Sequence, residues 1–309
     1  MTRLMSKLLI AILLSSVTAC AKTDEKKEET SKVKKEEPVK TQKEEPLKES
    51  KIDKNLIDYV KRAISVNKDF TLKEVRIRQK KEVDKLPGWS IYFLDIDLQI
   101  VAKNNEIMTV HDKIFTNGKF ISRDFVNIVN KASLKDKIVP DMDDSFYRKD
   151  HLLLGDFDAK DKIVIFSDPI CPFCQSYMPG ILKAVKANPK KIALFYYHFP
   201  LTMLHPEAPT VIKATMALEK KGVENALLKV YEKKFEIHSK DEKKILEAFN
   251  KKMGTKLTIK DINTQEILKH YSEDLELAGK MMINGTPTVY VNGKKDFSRN
   301  KYKTILGIK

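Results

Sequence analysis

The chain has 309 residues, enough for two domains beyond any targeting segment, and a formal net charge of +15. Only seven of its 58 basic residues are Arg, the side chain that reads bases and phosphates bidentately, and the lysines are spread along the whole chain. The charge therefore reads as solvated lysine faces, and no nucleic-acid partner is expected.

The chain opens with Arg3 and Lys7, followed by an apolar run from Leu8 to Val17 that is too short to span a membrane as a stable helix. Val17-Thr18-Ala19-Cys20 then resembles the lipobox of bacterial lipoproteins. That resemblance implies a signal peptide over 1–19, cleavage before Cys20 and lipid on the Cys20 sulfur. An ordinary signal peptide or an uncleaved anchor are the alternatives. Residues 21–50 hold nine Lys against nine Asp or Glu and almost no apolar side chains. Such a stretch cannot bury enough surface to offset its ordering entropy, so 20–50 reads as a disordered tether. No later apolar run is long enough for a transmembrane helix. With Cys20 lipidated, Cys171 and Cys174 are the remaining thiols, a pattern that suits a catalyst in an oxidising compartment.

Residues 51–140 read as a small α+β domain of cystatin/NTF2-like type. Ile52, Leu56, Tyr59 or Val60, and Ala63 are spaced as one helix face. Strand material follows at Phe70–Arg78, Trp89–Val101, Ile107–Val110 and Lys113–Thr116, and Asn117-Gly118 signals a tight hairpin turn. His111, the domain's one histidine, reads as a surface or core residue. The domain's expected job is to pair two chains or to hold substrate. Residues 141–160 read as a linker, with a short helix over Met142–Asp150.

From 161 the pattern changes. The apolar run Lys162–Ser167 is a buried strand, Cys171-Pro172-Phe173-Cys174 follows, and Tyr177, Ile181, Leu182 and Val185 continue as a helix that Pro179 should kink. Two cysteines two residues apart on a strand-to-helix junction are the layout of a redox centre. The first would sit at the helix N-terminus, where unpaired N–H groups and the dipole favour the thiolate. Two other readings stay open: half of a zinc site completed by His198 and His205, or an inert disulfide. Lys191–Phe199 is a second buried strand, and about 80 residues of helix follow it. Val211, Thr215 and Leu218 share a face, as do Leu227, Tyr231 and Phe235, and as do Leu268, Tyr271, Leu275, Ala278 and Met282; all read as packing. Ser239…Glu242 and Asn263…Glu266 resemble capping boxes. Gly285-Thr286-Pro287 suits a cis X–Pro bond ahead of the strand Thr288–Val291, the Asn292-Gly293 turn and a closing helix over Tyr302–Ile308.

This order resembles a thioredoxin fold with a helical insertion at about 202–282, and in detail the bacterial Dsb proteins. The segment Phe166–Cys174 is similar to their active-site strand and motif; His198-Phe-Pro-Leu201 with His205-Pro206, and Gly285-Thr-Pro-Thr288, recur in the DsbA-like and DsbC/DsbG-like branches. The domain ahead of it resembles the dimerisation domain of DsbC and DsbG. The resemblance implies Cys171 as the exposed nucleophile, Cys174 as the resolving thiol, and Pro172, Phe173, Thr286 and Pro287 as the surface that meets substrate. It implies neither metal nor cofactor. Pro172-Phe173 lacks the histidine of typical DsbA, so a less oxidising centre is expected. The expected activity is that of a lipid-anchored periplasmic thiol:disulfide oxidoreductase, isomerase or reductase first and DsbA-like oxidase second. Its expected partners are exported cysteine-bearing proteins, a DsbD-like or DsbB-like membrane redox protein, the membrane through the lipid, and a second copy of the chain. A chaperone or a metal-carrying lipoprotein is the reading from another class.

Overall fold

The computed structural model describes residues 49–67, 69–100, 106–233, 235 and 237–308. The expected signal segment, Cys20 and the tether up to residue 48 lie outside them. The chain divides into two compact units at Arg123/Asp124, where the sequence suggested a boundary near 140.

In the first unit, helix α1 (Glu49–Ser65) packs on an antiparallel sheet of β1 (Phe70–Glu82), β2 (Ser90–Ile100), β3 (Ile107–Thr116) and β4 (Ile121–Ser122), ordered β1-β2-β3-β4. The buried stripe of α1 is Leu56, Val60 and Ile64 at strict four-residue spacing, with Ile52 partly covered. This settles Tyr59 or Val60 in favour of Val60 and replaces Ala63 with Ile64. The sheet returns Val75, Tyr92, Leu94, Ile96 and Leu98 to that stripe. The two short strands expected at 107–116 are one, because His111 and Asp112 keep the extended register opposite Asp95 and Leu94. His111 Nδ1 lies 2.7 Å from Asp95 Oδ1, which also accepts from Arg78 Nε at 3.0 Å. The turn after β3 is four residues long rather than two: Thr116 pairs with Ile121, and Asn117 Oδ1 accepts from the N–H of Lys119 and Phe120.

In the second unit, after the short helix α2 (Leu134–Lys137), the expected helix over Met142–Asp150 is instead two 3-10 turns, Asp144–Phe146 and Lys149–His151. They bring Phe146 and His151 into the interior. The stretch read as linker also supplies β5 (Leu152–Leu154), which pairs antiparallel with β7 (Ile192–His198). Gly155 ends β5 at φ +87°, and a Cβ there would fall 1.9 Å from the carbonyl oxygen of Ile192. Glycine alone lets the two backbones approach this closely.

The sheet runs β5-β7-β6-β8-β9, with β6 (Asp161–Ser167) at its centre. β6 and β7 are parallel and joined by α3 (Pro172–Ala187); β8 (Thr288–Val291) and β9 (Lys294–Lys295) are antiparallel. Ile163, Val164, Ile165 and Phe166 are all buried, as a central strand covered on both faces requires. The helix α3 continues past Pro179 to Ala187. Asn292 (φ +49°) and Gly293 (φ +78°) form the two-residue β8–β9 turn, both left-handed as the type I′ hairpin requires. The last helix, α9 (Lys301–Leu306), ends on Gly307.

Between β7 and β8 lie α4 (Ala208–Lys220), α5 (Ala226–Lys233), α6 (Glu242–Met253), α7 (Ile259–Ile262) and α8 (Gln265–Lys280). They enclose their own core, including Val211, Ile212, Leu218, Phe249, Ile262 and Ile267. The inward stripe of α8 is Ile267, Asp274 and Ala278, with Tyr271 partly covered; Tyr271 and Ala278 stand as expected, whereas Ile267 and Asp274 take the places of Leu268, which faces solvent, and Leu275. The caps shift likewise. Asp241, not Ser239, caps α6, and Thr264, not Asn263, caps α8; the reciprocal capping box sits at Thr258 and Asp261. In each case the residue immediately before the first helical turn reaches the free N–H groups.

Candidate active site

β6 ends at Ser167, and Asp168-Pro169-Ile170 carries the chain to Cys171, the N-cap of α3, with Pro172 as the first helical residue. The Cys171 N–H donates to Asp168 O at 3.1 Å, and the Cys171 carbonyl accepts from Gln175 N at 2.9 Å. The loop is held from three sides. Ile170 is buried in the core of the helical insertion. Asp168 is fully buried; its Oδ1 accepts from Ile170 N at 2.8 Å, and its Oδ2 from Leu201 N at 2.9 Å and His205 Nδ1 at 2.8 Å. Beneath the thiols, the Ser167 hydroxyl meets Tyr231 OH at 2.7 Å, and Tyr231 OH meets Tyr196 OH at 2.8 Å.

Both cysteines are thiols. In the protonated form the Cys171 Sγ–H donates to Thr286 O at 3.7 Å, and the Thr286-Pro287 bond is cis. The hydroxyl of Thr286 is buried and makes no regular hydrogen bond. Cys171 is only 3% exposed, a correction to the exposed nucleophile that the sequence implied. The extended N-cap backbone turns its sulfur into the core formed by Cys174, Met178, Leu227 and Tyr231, beneath the Thr286 carbonyl. The neighbouring Phe173 stands out, 71% exposed, and Pro172 is exposed beside it.

The two sulfurs differ sharply in acidity. The Cys174 thiol, donating to a Cys171 thiolate, is the main reason that Cys171 is lowered to about 5. Burial opposes the shift, while Thr286 and the N–H groups of Phe173 and Cys174 at the start of α3 assist it. Cys174 moves the other way: burial pushes it far above the ordinary thiol range, and a charged Cys171 beside it adds to that. One thiol is therefore set to be an anion at neutral pH while its neighbour keeps its proton.

A groove of about 340 Å³ runs beside the pair, lined by Phe173, Thr286, Pro287, Asp296, Phe297 and Arg299 among others. It unites three of the four expected substrate-facing residues, with Pro172 on the adjoining surface. Phe297 and Arg299 were not singled out from the sequence; they follow a hairpin whose docking against the cis-proline loop no local pattern records. From the sequence Tyr231 reads as packing, yet a tyrosine at a core position signals a buried hydroxyl in need of a partner. The zinc reading of the motif is not what the structure assembles. His205 is bound to Asp168, and His198 is buried, its backbone N–H donating to Asp274 Oδ2 at 2.9 Å. Burial lowers His198 to about 4, which keeps it neutral. Among the described residues, the group of side chains close enough to share a metal ion contains neither cysteine.

Residues 148–308 match the family model described as Thioredoxin. Among curated proteins, the chain is 26% identical over 152 residues to a probable disulfide bond formation protein D of Bacillus cereus, covering 45% of this chain and 69% of that protein. It is also 28% identical over 155 residues to a Na(+)/H(+) antiporter NhaA 1 of Mycolicibacterium gilvum, covering 48% of this chain and about a quarter (24%) of the antiporter. Among solved structures, a thioredoxin-like oxidoreductase from Silicibacter pomeroyi superposes with a TM-score of 0.43 at 21% identity, covering 53% of this chain and 95% of that one. The catalytic domain of Proteus mirabilis ScsC gives 0.42 at 23% identity, covering 53% and 92%. Among the described residues no helix is long and apolar enough to cross a membrane.

Proposed function

Because the chain belongs to the thioredoxin family, we propose that it is a thiol:disulfide oxidoreductase of Dsb type, with Cys171 as nucleophile and Cys174 as resolving thiol. The observation that carries this reading is the placing of two free thiols at the head of α3 beneath the cis Thr286-Pro287 loop, where their surroundings drive their acidities apart. The Cys171 thiolate attacks a substrate disulfide, forming a mixed disulfide and releasing one substrate thiolate. Cys174 then gives up its proton and attacks the Cys171 sulfur. The Cys171–Cys174 disulfide closes, the second substrate thiolate leaves, and two electrons have passed to substrate. Run backwards, the same steps oxidise a dithiol. When a second substrate thiol resolves the mixed disulfide instead, bonds are rearranged with no net electron transfer.

Isomerase or reductase duty is the first reading, supported by the separate α+β unit ahead of the thioredoxin unit, a surface for pairing chains or holding substrate. A DsbA-like oxidase is the second, favoured by the low pKa of Cys171: a stabilised thiolate holds the centre reduced and makes its disulfide a stronger oxidant. Pro172, Phe173, Thr286 and Pro287 would meet the substrate backbone. The proposed setting is periplasmic, tethered through lipid on Cys20, with exported cysteine-bearing proteins as substrates and a DsbD-like or DsbB-like membrane protein resetting the thiols. A chaperone or metal-carrying role for the same thiols is the rival that the next assay rejects or keeps. Scrambled ribonuclease in a glutathione buffer should regain activity several-fold faster with catalytic amounts of the protein. Recovery at the uncatalysed rate, with no acceleration of insulin reduction or dithiol oxidation either, would overturn the proposal.

A further inference from the structure

On another part of the second unit, the 3-10 turn before β5 and the helix α8 bring together two imidazoles and a carboxylate. His151 Nε2 lies 2.7 Å from Asp274 Oδ1 and 3.1 Å from His270 Nε2, and His270 Nε2 lies 3.9 Å from the same oxygen. We propose that His151, His270 and Asp274 bind a divalent transition-metal ion of the zinc class, at a site that shares no residue with the thiol pair.

Three features support this. The first is chemical. Two ring nitrogens and one carboxylate oxygen are a ligand set for zinc-like ions rather than for calcium or magnesium, which take oxygen ligands. The second is metric. Ligands about 2.0–2.1 Å from a tetrahedral ion stand about 3.3 Å apart, and the three separations here bracket that edge. The third is the proton count. Within the triangle one N–H faces two acceptors. A proton on His151 Nε2 serves Asp274 Oδ1, and His270 Nε2 is then left sharing the same N–H. A cation takes one lone pair from each of the three atoms.

The surroundings hold the ligands in place. His151 Nδ1 lies 3.0 Å from Asp150 Oδ1, the outer carboxylate contact that fixes a metal-binding imidazole with its other nitrogen free. The His151 ring stacks on Tyr197 at 4.2 Å between centroids. Asp274 Oδ2 accepts from the backbone N–H of His198, which leaves Oδ1 for the ion. His151 and Asp274 are buried, whereas His270 is partly open to solvent and supplies an entry path and room for a water as fourth ligand. The ion would clasp segments 119 and 123 residues apart in sequence. It would therefore stabilise the folded chain, since no such site exists before folding.

The test uses the full chain carrying Cys20→Ser with Cys171 and Cys174 oxidised, so that no thiol can bind metal. Titrated with Co²⁺ after chelator treatment, it should take up one equivalent and show visible d–d bands without sulfur-to-cobalt charge transfer. Zn²⁺ should displace the Co²⁺. His270→Ala, at a partly exposed position, should fold as before with an unchanged melting temperature in chelator, and bind Zn²⁺ at least about tenfold more weakly. No stoichiometric uptake by the oxidised protein, cobalt spectra seen only with free thiols, or equal Zn²⁺ affinity in His270→Ala would each overturn the proposal.

Discussion

Cys171→Ser is expected to reduce thiol–disulfide exchange to the uncatalysed rate, a loss of at least about a thousandfold, because a serine hydroxyl neither ionises near neutral pH nor forms a disulfide. Cys174→Ala should behave differently. It keeps the attacking sulfur but lacks the thiol that closes the internal disulfide, so it should accumulate as a mixed disulfide visible by intact mass. It also removes the largest contribution to the acidity of Cys171, the hydrogen bond from the Cys174 thiol. The Cys171 titration should therefore move upward in this variant. Insulin reduction and intact-protein mass spectrometry read the two effects separately. Turnover surviving in Cys171→Ser would assign the chemistry elsewhere.

The second large effect is expected at Asp168. This buried carboxylate accepts from Ile170 N, Leu201 N and His205 Nδ1, and so ties the loop before Cys171 to the segment after β7. Asp168→Ala strands all three donors. Each unsatisfied buried donor costs about 1–3 kcal/mol, and breaking a buried polar pair from one side costs about 3–5 kcal/mol, so a loss of ~3–5 kcal/mol is expected. His205→Ala removes one donor at a partly open position, leaves two bonds to Asp168, and should cost about 1–2 kcal/mol. Urea unfolding of the reduced proteins should show both midpoints lowered, in that order. Equal midpoints for Asp168→Ala and the parent would mean that the loop is held by Ile170 packing alone.

Much of this architecture is written in local pattern. The apolar run of β6, the cysteine spacing, Asn292-Gly293 and the Gly285-Thr286-Pro287 segment each act within a few residues, and each element stands where the sequence places it. What local pattern does not carry is the pairing of distant groups. Asp274 on α8 meets His151 across 123 residues, and a helical stripe read for apolar positions passes over a buried aspartate, so the pattern puts Leu268 on the face that Ile267 occupies. The 3-10 turns over 144–151 and the three-residue β5 are too short to show a period. The burial of Cys171 has the same origin. The loop that covers it arrives 115 residues later, and the sequence shows only that the sulfur begins a helix.

That burial sharpens the central claim. A sulfur this covered would be a weak acid if burial alone decided; it is held as an anion because the Cys174 thiol, Thr286 and the first N–H groups of α3 outweigh the desolvation. The folded-state pKa lies below that of an unfolded thiol. The thiolate therefore contributes stability to the reduced protein above the ordinary thiol pKa, and that contribution is lost as pH falls through about 5. The most direct test is the ultraviolet thiolate absorbance of the reduced protein followed from acid to alkaline pH, with the oxidised protein as blank. One sulfur should ionise with a midpoint near 5, and the second should stay protonated through neutral pH. A single rise near that of a free cysteine, about 8.5, would contradict the account.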